Sequence, residues 1–89
     1  MNKNKNKISN PNLVMGFRQV MRGLASDQIR CVVIACDIDD RLYDQIVRAC
    51  KEKGVECQKG EARKALGAIL GLEVSCGVFA ELLVENSEE

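Results

Sequence analysis

Arg18, Gln19 and Arg22 put two guanidinium groups and a primary amide within one turn of chain. At helical spacing Phe17, Val20, Met21 and Leu24 fall at i, i+3, i+4 and i+7 on one apolar face, and the three polar side chains lie opposite. Guanidinium groups suit phosphate oxygens and base edges, and an amide can donate and accept at once. Such a surface is an argument for RNA, against the plainer reading of a solvated helix face. A second basic group, Arg63-Lys64, begins another helical segment. Cations in a first helical turn are disfavoured by the macrodipole, so an external anion is the expected reason for them. Beyond that segment lies the loop Gly71-Leu72-Glu73-Val74-Ser75. Exposed apolar loop residues can stack on an unpaired base.

Other chemistry has little to stand on. Asp37, Asp39 and Asp40 form a carboxylate cluster at a strand-to-helix junction, where such residues serve as caps for the following helix. Cys36 has no histidine anywhere in the chain to activate it. Cys31, Cys36, Cys50, Cys57 and Cys76 are odd in number, contain no CxxC spacing and lie mostly in apolar runs. They read as buried, reduced thiols of a cytosolic protein. Gly67 and Gly71 are spaced GxxxG, which at a helix end permits close packing and a tight exit. There is no Walker loop and no GxGxxG. The expectation is no enzyme, no catalytic residue, no metal and no cofactor.

Eighty-nine residues with 46% apolar and 29% charged content bound one soluble domain with a modest core. No apolar run approaches the ~20 residues of a membrane span, and no hydrophobic signal segment is visible. Formal net charge is zero, yet residues 1–30 hold six bases against Asp27 alone, while residues 81–89 hold four acids and no base. A domain polarised in this way can take a polyanion on one side. Residues 1–12 read as a disordered basic tail, 13–85 as the single RNA-binding domain and 86–89 as an acidic tail. A cytoplasmic monomer is expected.

These residues must be positioned by a small set of elements. A helix runs from Gly16 to near Leu24, although periodicity alone also allows a start at Leu13 after Pro11. Cys31 to Cys36 is a continuous β-branched apolar run, a strand buried on both faces. Asp37 to Asp40 ends it and caps a helix with Leu42, Ile46, Val47 and Cys50 inward, stopping at Gly54. Val55 to Gln58 is a short strand. Glu61 to Leu70 is a third helix with Ala62, Ala65, Leu66 and Ile69 inward, and a last strand is centred on Gly77 to Leu83. Alternating strands and helices imply an α/β fold, a three-layer α/β/α sandwich whose mixed sheet of about four strands carries helices on both faces.

The residues quoted so far resemble the kink-turn RNA-binding superfamily of ribosomal and ribonucleoprotein proteins, the L-seven-Ae type. Its pattern is a glycine, one variable residue, an Asn-Glu or Lys-Gln pair, two more residues and a lysine. Gly16, Arg18, Gln19 and Arg22 stand at those positions. The family's Ala-x-Asp turn resembles Ala35-Cys36-Asp37, its Lys-x-x-Leu-Gly segment Arg63 to Gly67, and its Gly-Ile-Glu-Val loop Gly71 to Val74. The likeness covers roughly Leu13 to Leu83. It implies RNA-binding residues Gly16, Phe17, Arg18, Gln19, Arg22, Asp37, Arg63, Lys64, Leu72, Glu73, Val74 and Ser75. It also implies a kink-turn or similar internal loop as ligand, with ribosomal or ribonucleoprotein proteins as further partners. By resemblance Arg18 and Gln19 face base edges, Arg22 and Arg63 hold phosphates, and the loop covers an extruded nucleotide. Arginine replaces the usual Asn or Lys at position 18 and lysine at positions 22 and 63, and Cys76-Gly77 is unusual after the loop. The superfamily also holds regulatory members, so a protein–protein interaction module on the same fold is the rival reading.

Overall fold

A computed structural model of the protein describes residues 12–83. The sequence-derived tails, apart from Asn12, lie outside the described residues. The elements in chain order are β1 (Leu13–Met15), α1 (Phe17–Ala25), β2 (Ile29–Ile34), α2 (Asp40–Lys53), β3 (Glu56–Lys59), α3 (Arg63–Ile69) and β4 (Val78–Leu82). They build a four-stranded sheet of order β1-β4-β2-β3, in which β4 is antiparallel to both neighbours and β2 is parallel to β3. Three strands therefore point the same way. β1, β2 and β3 all end at the margin of the sheet where β4 begins.

Helices cover both faces, as the alternation of elements implied. Val20 and Leu24 of α1 and Ile46 and Cys50 of α2 pack with Val32, Ile34, Val78 and Ala80 on one face, all essentially inaccessible to water. Each Val, Leu and Ile side chain among them contributes about 1.5–3 kcal/mol by burial. On the other face Leu66 and Leu70 join Ala35 and Cys76, with Val33 and Phe79 of the sheet packed against them.

Several boundaries differ from the sequence reading for physical reasons. The run Leu13–Met15 is a strand, because its backbone pairs with β4 through Val14 and Ala80. That pairing settles the start of α1 at Phe17. β2 runs from Ile29 to Ile34 rather than from Cys31 to Cys36, and Ala35 and Cys36 belong to the turn beyond it. Nor is the strand buried equally on both faces. Val32 and Ile34 are fully covered by α1 and α2, whereas Cys31 and Val33 are half-buried because α3 has only seven residues. A register shift between Ile29 and Cys31 leaves Arg30 exposed at a bulge, where it pairs with Glu81 at 3.3 Å. In α3 the helical phase turns Leu66 and Leu70 inward and leaves Ile69 48% exposed, correcting its inward assignment.

The cysteines also divide. All five are free thiols, but only Cys50 and Cys76 are buried. Cys31 and Cys57 are half-buried and Cys36 is exposed, since the strand ends before it. Burial, with the neighbouring Cys57 adding to it, pushes the Cys50 thiol up to about 12. Burial likewise raises Cys76, and raises Cys31 together with the Glu81 carboxylate beside it.

Candidate nucleic-acid interface

Four connecting segments meet at the margin where β1, β2 and β3 end. Gly16 follows β1 with φ 97°, a backbone conformation that favours glycine, and its N–H donates to Val78 O at 2.9 Å. Ala35 N donates to Gly77 O at 2.8 Å, tying the turn after β2 to the start of β4. Cys76 N donates to Arg63 O at 3.0 Å, and Cys36 N to Glu61 O at 3.1 Å, which brings in the turn before α3. The backbone thus laces together segments that lie far apart in sequence. Every motif identified in the sequence lies on one of them or on the helix that adjoins it.

At this margin the turn after β2, α3 and the loop before β4 enclose a cleft of about 630 Å³ lined by Asp37, Arg63, Lys64, Ala68, Leu72, Glu73, Val74 and Ser75, whereas Gly16, Phe17, Arg18, Gln19 and Arg22 are not among its lining residues. Its size falls in the range of ordinary ligand sites. Two cations and two carboxylates balance in charge around a partly apolar wall, in which Val74 is 69% exposed. All the residues expected from Arg63 to Ser75 are brought together here, with Asp37 added. Ala68 is the one lining residue that the sequence reading missed. It lies one turn beyond Lys64 on the same face of α3, a spacing that could have revealed it.

The loop is held against α3 by contact as well as by hydrogen bonds. Leu72 N donates to Gly67 O at 2.8 Å. A Cβ at Gly67 would run into the Val74 carbonyl oxygen and lie 3.1 Å from Ser75 Cα. Only glycine allows the loop to rest on the helix at that point.

α1 presents Arg18, Gln19 and Arg22 on its exposed face, while Phe17 is half-buried and packs against the core under the helix. Among the described residues Arg18, Arg22 and Lys64 have no ion-pair partner. Arg63 does have one. Asp39 caps α2 by accepting from Arg41 N at 2.7 Å, as the junction of acids implied. Asp37, expected at the same cap, instead reaches across the fold to α3. Its Oδ1 accepts from Arg63 N at 2.8 Å and lies 3.5 Å from Arg63 Nε. The basic start of α3 therefore has an internal anion, where the sequence suggested an external one. No group of three or more potential metal ligands occurs among the described residues, and no helix there is long and apolar enough to cross a membrane.

Comparison with known proteins agrees with this architecture. The chain is 30% identical over 71 residues to an RNA-binding protein of Bacillus pumilus, covering 80% of this chain and 87% of the relative. It is 28% identical over 76 residues to an RNA-binding protein of Caldanaerobacter subterraneus subsp. tengcongensis, covering 85% and 93%. Among solved structures, the Giardia lamblia 15.5kD RNA binding protein superposes with a TM-score of 0.77 at 21% identity, over 83% of this chain and 62% of the other. A protein of unknown function from Bacillus halodurans C gives 0.75 at 18% identity, over 79% and 70%. Both show the same fold. Residues 1–89 match one family description throughout, and the chain belongs to the ribosomal protein L7Ae/L30e/S12e/Gadd45 family.

Proposed function

We propose that the protein binds RNA through the end of the sheet where β1, β2 and β3 finish, and that its ligand is a kink-turn or a similar internal loop. The observation that carries this reading is the convergence of four separate segments at one margin of the sheet, which carries the cleft and from which α1 departs with two cations that have no ion-pair partner among the described residues. Arg18 and Gln19 meet base edges, Arg22 and Arg63 meet phosphates, and Leu72 to Ser75 cover an extruded nucleotide. A groove wide enough to admit α1 occurs in a bent or internally looped RNA, whereas the deep major groove of a regular A-form duplex excludes it. Contacts made only by the bent RNA shift its conformational equilibrium toward that form. The relatives' names, which describe RNA-binding proteins, support the ligand class. A place beside ribosomal or ribonucleoprotein proteins belongs to the same proposal.

The test is a titration with a kink-turn RNA and with an unbent duplex of equal length. Preference for the kink-turn by at least about tenfold, or 1.4 kcal/mol, is expected. Equal affinities would remove the kink-turn, and binding to neither would leave the protein–protein module as the better account.

A further inference from the structure

We propose that Asp37 is a positioning residue, which closes α3 and fixes the Arg63 guanidinium for its phosphate contact without touching RNA itself. This inference rests on the RNA-binding reading for its consequence, though not for its geometry. α3 starts with Arg63 and Lys64, has no acid in its first turn, and has no side-chain cap from its own N-cap residue Ala62. The missing group arrives from 26 residues upstream: Asp37 Oδ1 takes the Arg63 backbone N–H and also approaches Arg63 Nε. One oxygen therefore sets both where the helix begins and how its first side chain leaves it. No described residue other than Asp37 pairs with Arg63, and its side chain is 53% exposed at the cleft. With the carboxylate at ion-pair distance from Nε, the planar guanidinium is biased toward an orientation that leaves its terminal donors for phosphate. A carboxylate facing phosphate without such a partner would repel it. Beside Arg63 its charge is already matched.

The contrast with neighbouring cations sharpens the assignment. Arg18, Arg22 and Lys64 have no ion-pair partner among the described residues and must be ordered by RNA on binding. Arg63 alone of the four starts with a carboxylate beside it. Its contribution should thus depend on Asp37, and that of Asp37 should vanish without Arg63.

Asp37→Asn keeps an oxygen that can accept from Arg63 N, so the fold is retained while the charge pairing is lost. With kink-turn RNA this variant is expected to bind about fivefold more weakly than the parent, as for coupled neighbours. In an Arg63→Ala background the same substitution should change affinity by less than about 1.5-fold. A loss of equal size in both backgrounds, or no loss beside intact Arg63, would overturn the proposal. A second readout needs no RNA: exchange of the Arg63 backbone N–H by NMR should be faster in Asp37→Ala, which removes its acceptor, than in the parent, and an unchanged rate would overturn it. If the parent binds neither kink-turn nor duplex RNA, the functional reading fails, and the NMR comparison still decides whether Asp37 holds Arg63.

Discussion

Gly67→Ala places one methyl group between α3 and the loop that closes the cleft. Two effects oppose each other. Alanine favours the helix interior over glycine by about 1 kcal/mol. The new Cβ would meet the Val74 carbonyl oxygen and stand 3.1 Å from both Val74 C and Ser75 Cα, so backbone rather than a flexible side-chain end has to give. Overpacking of this kind costs about 1–3 kcal/mol. The difference is a net loss of about 1 kcal/mol, which for a domain of this size lowers Tm by roughly 4–8 °C. The loop relieves the clash by receding, because it is tethered only at its ends, through Leu72 N to Gly67 O and Cys76 N to Arg63 O. Leu72 and Val74 then leave the position from which they would contact a base. RNA affinity should fall by about tenfold, or 1.4 kcal/mol, as those van der Waals contacts are lost. A thermal melt and a kink-turn titration on the same sample give both quantities. Parental affinity in a folded variant would show that the loop takes no part in binding. Parental Tm and affinity together would show that the loop does not rest on Gly67.

Other predictions address individual groups. Gln19→Ala should cost about 1–3 kcal/mol with RNA that keeps its sheared G·A pairs and much less when those pairs are made Watson–Crick; equal losses would mean that Gln19 reads no base. Arg22→Ala should lower the slope of log affinity against log salt by about one unit, as loss of one phosphate contact requires, and an unchanged slope would take Arg22 out of the interface. Without denaturant a thiol reagent should label exposed Cys36 first and leave Cys50 and Cys76 unmodified, and rapid labelling of either buried thiol would contradict their packing. Because Cys50 is pushed up to about 12 from a normal 9.0, the unfolded chain releases that proton first as pH rises. Stability from this group is complete below about pH 9 and drains away toward pH 12, so the fall in the urea midpoint between about pH 8 and pH 11 should be smaller in Cys50→Ala than in the parent. Equal falls would refute the assignment.

What could be read in the sequence was whatever depends on local period. The apolar face of α1, the inward set of α2 around Ile46 and Cys50, and the Val32–Ile34 core strand follow from spacing alone. The cleft residues from Leu72 to Ser75 were also legible, through their resemblance to a family loop. What escaped was decided across the fold. The boundary between Leu13 and Gly16 depends on pairing with β4, some 65 residues later. Asp37 and Asp39 look equivalent in the sequence, yet one caps the next helix and the other a helix beyond β3. Ile69 and Leu70 are equally apolar, and only the short length and docking of α3 choose between them. Apolarity likewise says nothing about where a strand stops, so Cys36 emerged into solvent.

The pairing of β1 with β4 also decides where the chain can be recut. Leu82 N donates to Asn12 O at 2.7 Å, so the two ends of the described domain touch each other. They do so at the far end of the sheet, since β1 begins and β4 finishes opposite the margin that carries the cleft. A fusion partner joined at Asn12 or Leu83 starts its path away from the margin proposed to bind RNA. Ends so close suit circular permutation through a short linker, with new termini opened in the turn between α1 and β2 near Asp27. That turn lies at the same far end as Asn12 and Leu83, so a permutant keeps every segment of the proposed binding surface continuous.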